Sequence, residues 1–184
     1  EQANTMFFGI CTDTGFFRFL TDQSAEVFRS TAKLVEAGAD PRKTYQKMTG
    51  GKSWNTRKLL SIMLDRAERY CGGKLVLTYE TMEDTKKYGQ EGRDRDALYS
   101  LMLEVEGVDA VAFVRQDTEH SCTLGLRSRE KCDVSAIAQK FGGGGHKNAS
   151  GASTEGRTET LMPRIVKEFS KVLYFIKLSV IMTE

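Results

Sequence analysis

The segment Phe141-Gly142-Gly143-Gly144-Gly145-His146-Lys147-Asn148-Ala149-Ser150-Gly151 constrains this chain more than any other. Consecutive glycines let successive backbone N–H groups converge on one point, a nest suited to an anionic oxygen. His146 and Lys147 add donors beside it, and Ser150 adds a hydroxyl. A flexible linker is the competing reading. Linkers, however, mix glycine with serine and join finished domains, whereas this run lies between a helix with an inward apolar face (Val134, Ile137, Ala138) and a further packed segment. Arg127-Ser128-Arg129 ends a strand a short way upstream, and arginine presents a planar fork that matches phosphate oxygens. If that strand end and the glycine run meet, Arg127 and His146 can hold one phosphate between them. On its own, Arg127 reads as a solvated strand-end residue.

Two texture changes organise the rest. The apolar run at residues 6–11 stops at Thr12-Asp13-Thr14-Gly15, which predicts a buried strand and then a turn with Gly15 free to take positive φ. Asp13 falls at the carboxyl end of that strand, where ligands collect in open α/β folds; taken by itself, one aspartate makes no metal site and a turn-forming role is the favoured reading. Three helices are expected next. Ser24 caps the first, with Phe28, Ala32 and Val35 as its stripe and Gly38 as its end; Asp40-Pro41 starts the second. Ser53 caps the third, whose Leu59, Ile62, Met63, Arg66 and Tyr70 share a side up to Gly72-Gly73. Three helices after one strand look like the tail of a larger domain.

From Lys74 the pattern becomes α/β. Strands are expected at 75–79, 110–115 and 121–127, the last two as a hairpin joined by 116–120. Short helices are expected after Thr81, at 97–104 and after Asp133, and a final helix capped by Thr160 with Pro163 in its first turn and Leu161, Ile165, Phe169 and Val172 as its stripe. A domain boundary is therefore set at Gly72-Gly73, with residues 73–175 as a small α/β domain and 176–184 as an unassigned tail.

Composition limits the function. The chain has 184 residues with 27 basic and 25 acidic side chains, a net charge of +2, so bulk charge advertises no long nucleic-acid tract while a local anion site stays open. Cys11, Cys71, Cys122 and Cys132 are scattered without a Cys-x-x-Cys pair or companion histidines at zinc spacing, which argues against a closed structural zinc site. No signal peptide or membrane-spanning run is visible, so a reduced, cytoplasmic setting without membrane contact is expected.

The segment Gly9-Ile10-Cys11-Thr12-Asp13-Thr14-Gly15-Phe16-Phe17-Arg18-Phe19 resembles the fourth metal motif of the DHH phosphoesterases. Leu126-Arg127-Ser128, Asp133-Val134-Ser135-Ala136-Ile137-Ala138 and the Phe141 to Gly151 run resemble the DHH-associated C-terminal domain of the same proteins, in the same order. The nano-RNase and pAp-phosphatase branch related to RecJ is most similar. The resemblance implies the helical tail of a DHH-type α/β domain, then a small α/β domain with a mixed sheet and a glycine-rich phosphate-binding loop. It implies Mn²⁺-dependent hydrolysis of short oligonucleotides or adenosine 3′,5′-bisphosphate by two ions, with Asp13 as a metal-contacting catalytic residue. It also implies a substrate phosphate or mononucleotide held by Arg127, Gly143, Gly144, His146 and Ser150. The family's remaining metal ligands, an Asp-x-Asp and the Asp-His-His triplet, precede the Asp-Thr-Gly motif. This chain has only His120 and His146, and its Asp94-Arg95-Asp96 reads as a helix-start cluster. The chain is thus expected to be the C-terminal part of a longer enzyme and inactive alone. The rival readings are a non-catalytic RNA- or nucleotide-binding module like that ending alanyl-tRNA synthetases, a cyclic-dinucleotide or polyphosphate phosphoesterase, and a structural, homodimerising fragment.

Overall fold

A computed structural model describes residues 1–129 and 132–181. It divides into two compact units, Glu1–Lys52 and the chain from Ser53 onward.

The first unit is helical: α1 (Gln2–Asp13), α2 (Ala25–Glu36) and α3 (Pro41–Thr49). Residues 6–11, expected as a strand, lie within α1. An apolar run stays extended only where a neighbouring strand takes its backbone N–H and C=O groups. This unit contains no strand, and a helix satisfies those groups internally. Phe7 and Cys11, four residues apart, then fall on one face and bury against Ala39, Phe16, Phe17, Leu34 and Met48. After α1 the chain turns through Gly15, Phe16 and Phe17, all at positive φ, held by Thr14 Oγ1, which accepts from the Phe17 N–H at 3.0 Å. Asp40 caps α3 as its sequence position predicts, accepting from the Lys43 N–H at 3.0 Å. In α2 the expected stripe is largely unburied, with Phe28 52% exposed and Thr31 its only buried residue.

The second unit runs α4 (Trp54–Asp65), β1 (Glu68–Tyr70), β2 (Leu75–Glu80), α5 (Met82–Tyr88), α6 (Arg95–Leu103), β3 (Ala110–Thr118), β4 (Ser121–Ser128), α7 (Val134–Gln139), β5 (Gly144–His146), β6 (Ala149–Glu155) and α8 (Thr158–Ile181). The strands form one mixed sheet in the order β1-β2-β3-β4-β6-β5. Only β2 and β3 are parallel, and α5 and α6 supply the crossover that a parallel pair requires. Gly72-Gly73, where the sequence sets a boundary, forms the turn between β1 and β2, with φ of +67° and +88°. The third helix stops at Asp65 instead of continuing toward Tyr70, which lies in β1. Because α4 packs Leu59, Leu60 and Met63 on Val76, Leu98 and Met102, the unit begins upstream of that glycine pair, at Ser53.

Side-chain alternation along the strands splits the core. Leu75, Leu77, Ala112, Val114, Leu124 and Leu126 face α7 and α8. Val76, Val111 and Phe113 face α4 and α6. The central strand β3 is covered on both sides and is buried continuously from Ala110 to Val114. In β4, by contrast, buried and half-buried residues alternate strictly. One face of β4 is left without a helical cover, and this decides where a ligand can reach the sheet.

The final helix starts at Thr158, so Pro163 is its sixth residue and not in its first turn. Its start is held by tertiary contact: buried Gln116 accepts from the Thr158 N–H at 2.7 Å and its hydroxyl at 2.8 Å. The backbone of α8 continues through Ile181 into the tail that the sequence leaves unassigned; residues 182–184 lie outside the described residues. Among the described residues no helix is long and apolar enough to cross a membrane.

Candidate functional site

The uncovered face of β4 extends across β6 to the edge strand β5. Arg127 pairs with Ala149, which pairs with His146, so these three residues form one row across three strands. Strand spacing of about 4.8 Å sets the Cα atoms of Arg127 and His146 roughly 10 Å apart on the same face. The next row reads Phe113, Gly125, Gly151, Gly144. Beyond the buried Phe113 it carries no side chain, which makes a flat floor beside the charged row.

Tyr99 of α6 forms the inner wall. The Arg127 guanidinium stacks over its ring, 4.7 Å from the centroid, and Arg127 Nη1 donates to the Leu126 carbonyl at 2.9 Å. Among the described residues Arg127 has no carboxylate partner, so its charge remains available to a ligand. Burial pushes the Tyr99 phenol above its usual pKa, and the positive charge of Arg127 offsets part of that rise. Gly125 makes room for the phenol: a Cβ there would lie 2.1 Å from its oxygen.

The glycine run is used differently from the nest expected of it. The Gly142 N–H donates to Gln139 O at 3.2 Å and the Gly143 N–H to Ala138 O at 3.0 Å, so both close the end of α7. Two of the four amides are therefore committed to the fold, and the other two glycines lie in strand β5. Gly143 is required by close packing, since a Cβ on it would stand 2.1 Å from the Gly151 carbonyl oxygen. Gly144 faces open space on the same side as Arg127; a Cβ there meets nothing within 4 Å.

Ser150, expected among the phosphate contacts, lies on the other side of the sheet. It pairs with Leu126, is only 5% exposed, and donates its hydroxyl to the His146 carbonyl at 2.7 Å. It shapes the β5–β6 hairpin and does not face the row of Arg127. The hairpin loop is tied down further by the Val134 N–H on Lys147 O at 2.8 Å and by Asn148 Nδ2 on Arg129 O at 2.8 Å.

Asp13 is the last residue of α1 and is exposed. Among the described residues no three His, Cys, Asp or Glu side chains converge on a point that could hold a metal ion. The four cysteines are free thiols, three of them buried. Sequence reasoning missed the role of Gly125. An isolated glycine within an alternating strand signals close approach of another group, and Tyr99 is that group.

A mixed sheet with helices on both faces, one of them left open over β4, β6 and β5 and lined there by glycine and a stacked arginine, defines the class of domain. The family model of the DHHA1 domain matches residues 74–174. The chain belongs to this family, the DHH-associated domains of the DHH phosphoesterases.

Among its relatives, the bifunctional oligoribonuclease and PAP phosphatase NrnA of Thermus thermophilus is 33% identical over 156 residues, covering 85% of this chain and 46% of that protein. A membrane protein–large ribosomal subunit bL9 fusion protein of onion yellows phytoplasma is 26% identical over 175 residues, 94% of this chain and 19% of the other. The chain spans less than half the length of either relative. The crystal structure of an exopolyphosphatase-related protein from Bacteroides fragilis superposes with a TM-score of 0.81 at 26% identity, covering 94% of this chain and 51% of that one.

Proposed function

We propose that this chain holds a substrate phosphate for a DHH phosphoesterase that hydrolyses short oligonucleotides or adenosine 3′,5′-bisphosphate. One observation carries the reading: Arg127 and His146 share a row on the open face of the sheet, beside a floor of glycine. Arg127 supplies a charged fork already stacked and oriented by Tyr99. The His146 imidazole offers a donor from the opposite end of the row. The glycine floor lets the rest of a nucleotide lie against backbone. The similarity to an oligoribonuclease and PAP phosphatase supports the substrate class.

Gly144→Val tests the reading, because it fills the floor without disturbing the fold. Its Cβ meets nothing within 4 Å, and a β-branched residue suits a strand. AMP binding, measured by calorimetry in low salt, is expected to weaken about tenfold or more (~1.4 kcal/mol) while the melting temperature stays put. Gly143→Val should instead lower the melting temperature, since its Cβ collides with the Gly151 carbonyl. Unchanged AMP affinity in Gly144→Val would remove the floor from the site.

The family resemblance implies a pair of Mn²⁺ ions, which would lower the pKa of a bound water and clamp the scissile phosphate. The described residues do not make such a centre, and Asp13 would be this chain's single contribution to it. The chain is therefore expected to bind Mn²⁺ weakly and to hydrolyse di- and trinucleotides negligibly. Tight stoichiometric Mn²⁺ binding that disappears in Asp13→Ala would contradict this.

A further inference from the structure

Tyr99 is buried to 5% exposure, yet its hydroxyl has no hydrogen-bond partner among the described residues. A phenol this deeply placed ordinarily finds one. Among the described residues no fully buried side-chain nitrogen or oxygen is left unsatisfied, so the unpartnered phenol oxygen of Tyr99 keeps some access from outside. Its direction is fixed by Gly125: a Cβ on that glycine would stand 2.1 Å from the oxygen. The oxygen thus sits on the glycine floor, on the face that carries Arg127. Gly125 and Arg127 are two residues apart along β4, about 6.6 Å at strand rise. Burial keeps the phenol protonated near neutrality, and able both to donate and to accept.

The next group along a nucleotide from its phosphate is the sugar. We propose that Tyr99 is the specificity-determining residue of this face: with a nucleotide phosphate on Arg127, the Tyr99 hydroxyl hydrogen-bonds a ribose hydroxyl and selects ribonucleotides over their deoxy forms. This rests on the phosphate site proposed above and adds to it the class of sugar. Beside the Tyr99 oxygen, which occupies the position over Gly125, Gly151 and Gly144 continue the row without side chains and leave the space that the sugar ring would occupy.

Tyr99→Phe keeps the ring under Arg127 and removes only the hydroxyl. Affinities of the unaltered chain and of Tyr99→Phe are to be measured for AMP, 2′-deoxy-AMP, 3′-deoxy-AMP and inorganic phosphate. The unaltered chain is expected to prefer AMP over one of the two deoxy analogues by about two- to tenfold, the worth of one hydrogen bond, and the affected analogue identifies the hydroxyl. In Tyr99→Phe that preference should fall to near unity, with inorganic phosphate affinity and melting temperature unchanged. A preference that survives the substitution overturns the proposal, as does an unaltered chain that does not discriminate. Equal weakening of inorganic phosphate would reduce Tyr99 to a support for Arg127 and overturns it too. Failure of the unaltered chain to bind either AMP or phosphate removes the phosphate site itself, and this proposal with it.

Discussion

Glu80→Ala is expected to destabilise the second unit by about 3–5 kcal/mol, the cost of breaking a buried ion pair from one side. Glu80 ends β2 with its side chain fully buried, and Arg93 grips it: Nε lies 2.8 Å from one carboxylate oxygen and 3.0 Å from the other, with Nη2 at 2.5 Å. Thr85 donates its hydroxyl to the same carboxylate. Removing the carboxylate leaves the Arg93 side chain, only 16% exposed, without its counter-charge. Native domains are stable by roughly 5–15 kcal/mol in total, so the loss should appear as a large fall in the urea midpoint. The double variant Glu80→Leu with Arg93→Met should recover most of it, because an apolar pair of similar volume carries no desolvation cost. A loss below about 1 kcal/mol would show that the pair is solvated, as surface ion pairs are.

Arg127→Ala is expected to weaken AMP binding by roughly ten- to a hundredfold, since a charge-assisted hydrogen bond contributes about 1.5–3 kcal/mol. Its effect on the melting temperature should be small. The side chain is half-buried and its own contacts are the stack on Tyr99 and one hydrogen bond to the Leu126 carbonyl, of which an exposed cation–π stack contributes about 0.5–1 kcal/mol. Arg127→Lys should recover part of the affinity, because it restores the charge without the planar fork. The difference in AMP affinity between the unaltered chain and Arg127→Ala should shrink as salt rises, with screening over about 10 Å at 0.1 M ionic strength. Equal AMP affinities with and without Arg127 would take the phosphate away from this row.

Much of the helical framework was legible because its signals are local. Asp40, Ser53, Thr81 and Asp133 each precede a helix and each accepts from a backbone N–H two or three residues on. A cap needs no distant partner, so sequence alone reveals it. The β3–β4 hairpin was legible for a related reason: alternation in residues 121–127 reports that only one face of β4 is buried. Arg127 and His146 stood out by residue type, Arg127 at a strand end and His146 beside the glycine run.

What escaped the sequence depends on partners far along the chain. Strands β5 and β6 are built largely of glycine, alanine and serine, which carry little β-propensity; they are strands because β4 offers an edge to pair with. The same pairing register puts His146 in line with Arg127 and turns Ser150 to the opposite face, since one residue along a strand reverses the side chain. The run at 6–11 is apolar enough for a strand but meets no strand within its unit, and its backbone closes on itself as α1. The start of α8 takes its cap from Gln116, 42 residues away. Sequence by itself determined the caps at Asp40, Ser53, Thr81 and Asp133, though not those expected of Ser24 and Thr160, together with the hairpin and the chemical types able to hold a phosphate. Tertiary structure alone decided which face of the sheet stays open and which residues share it, because register, helix cover and the placement of Tyr99 over Gly125 are set by contacts between segments that no local pattern records.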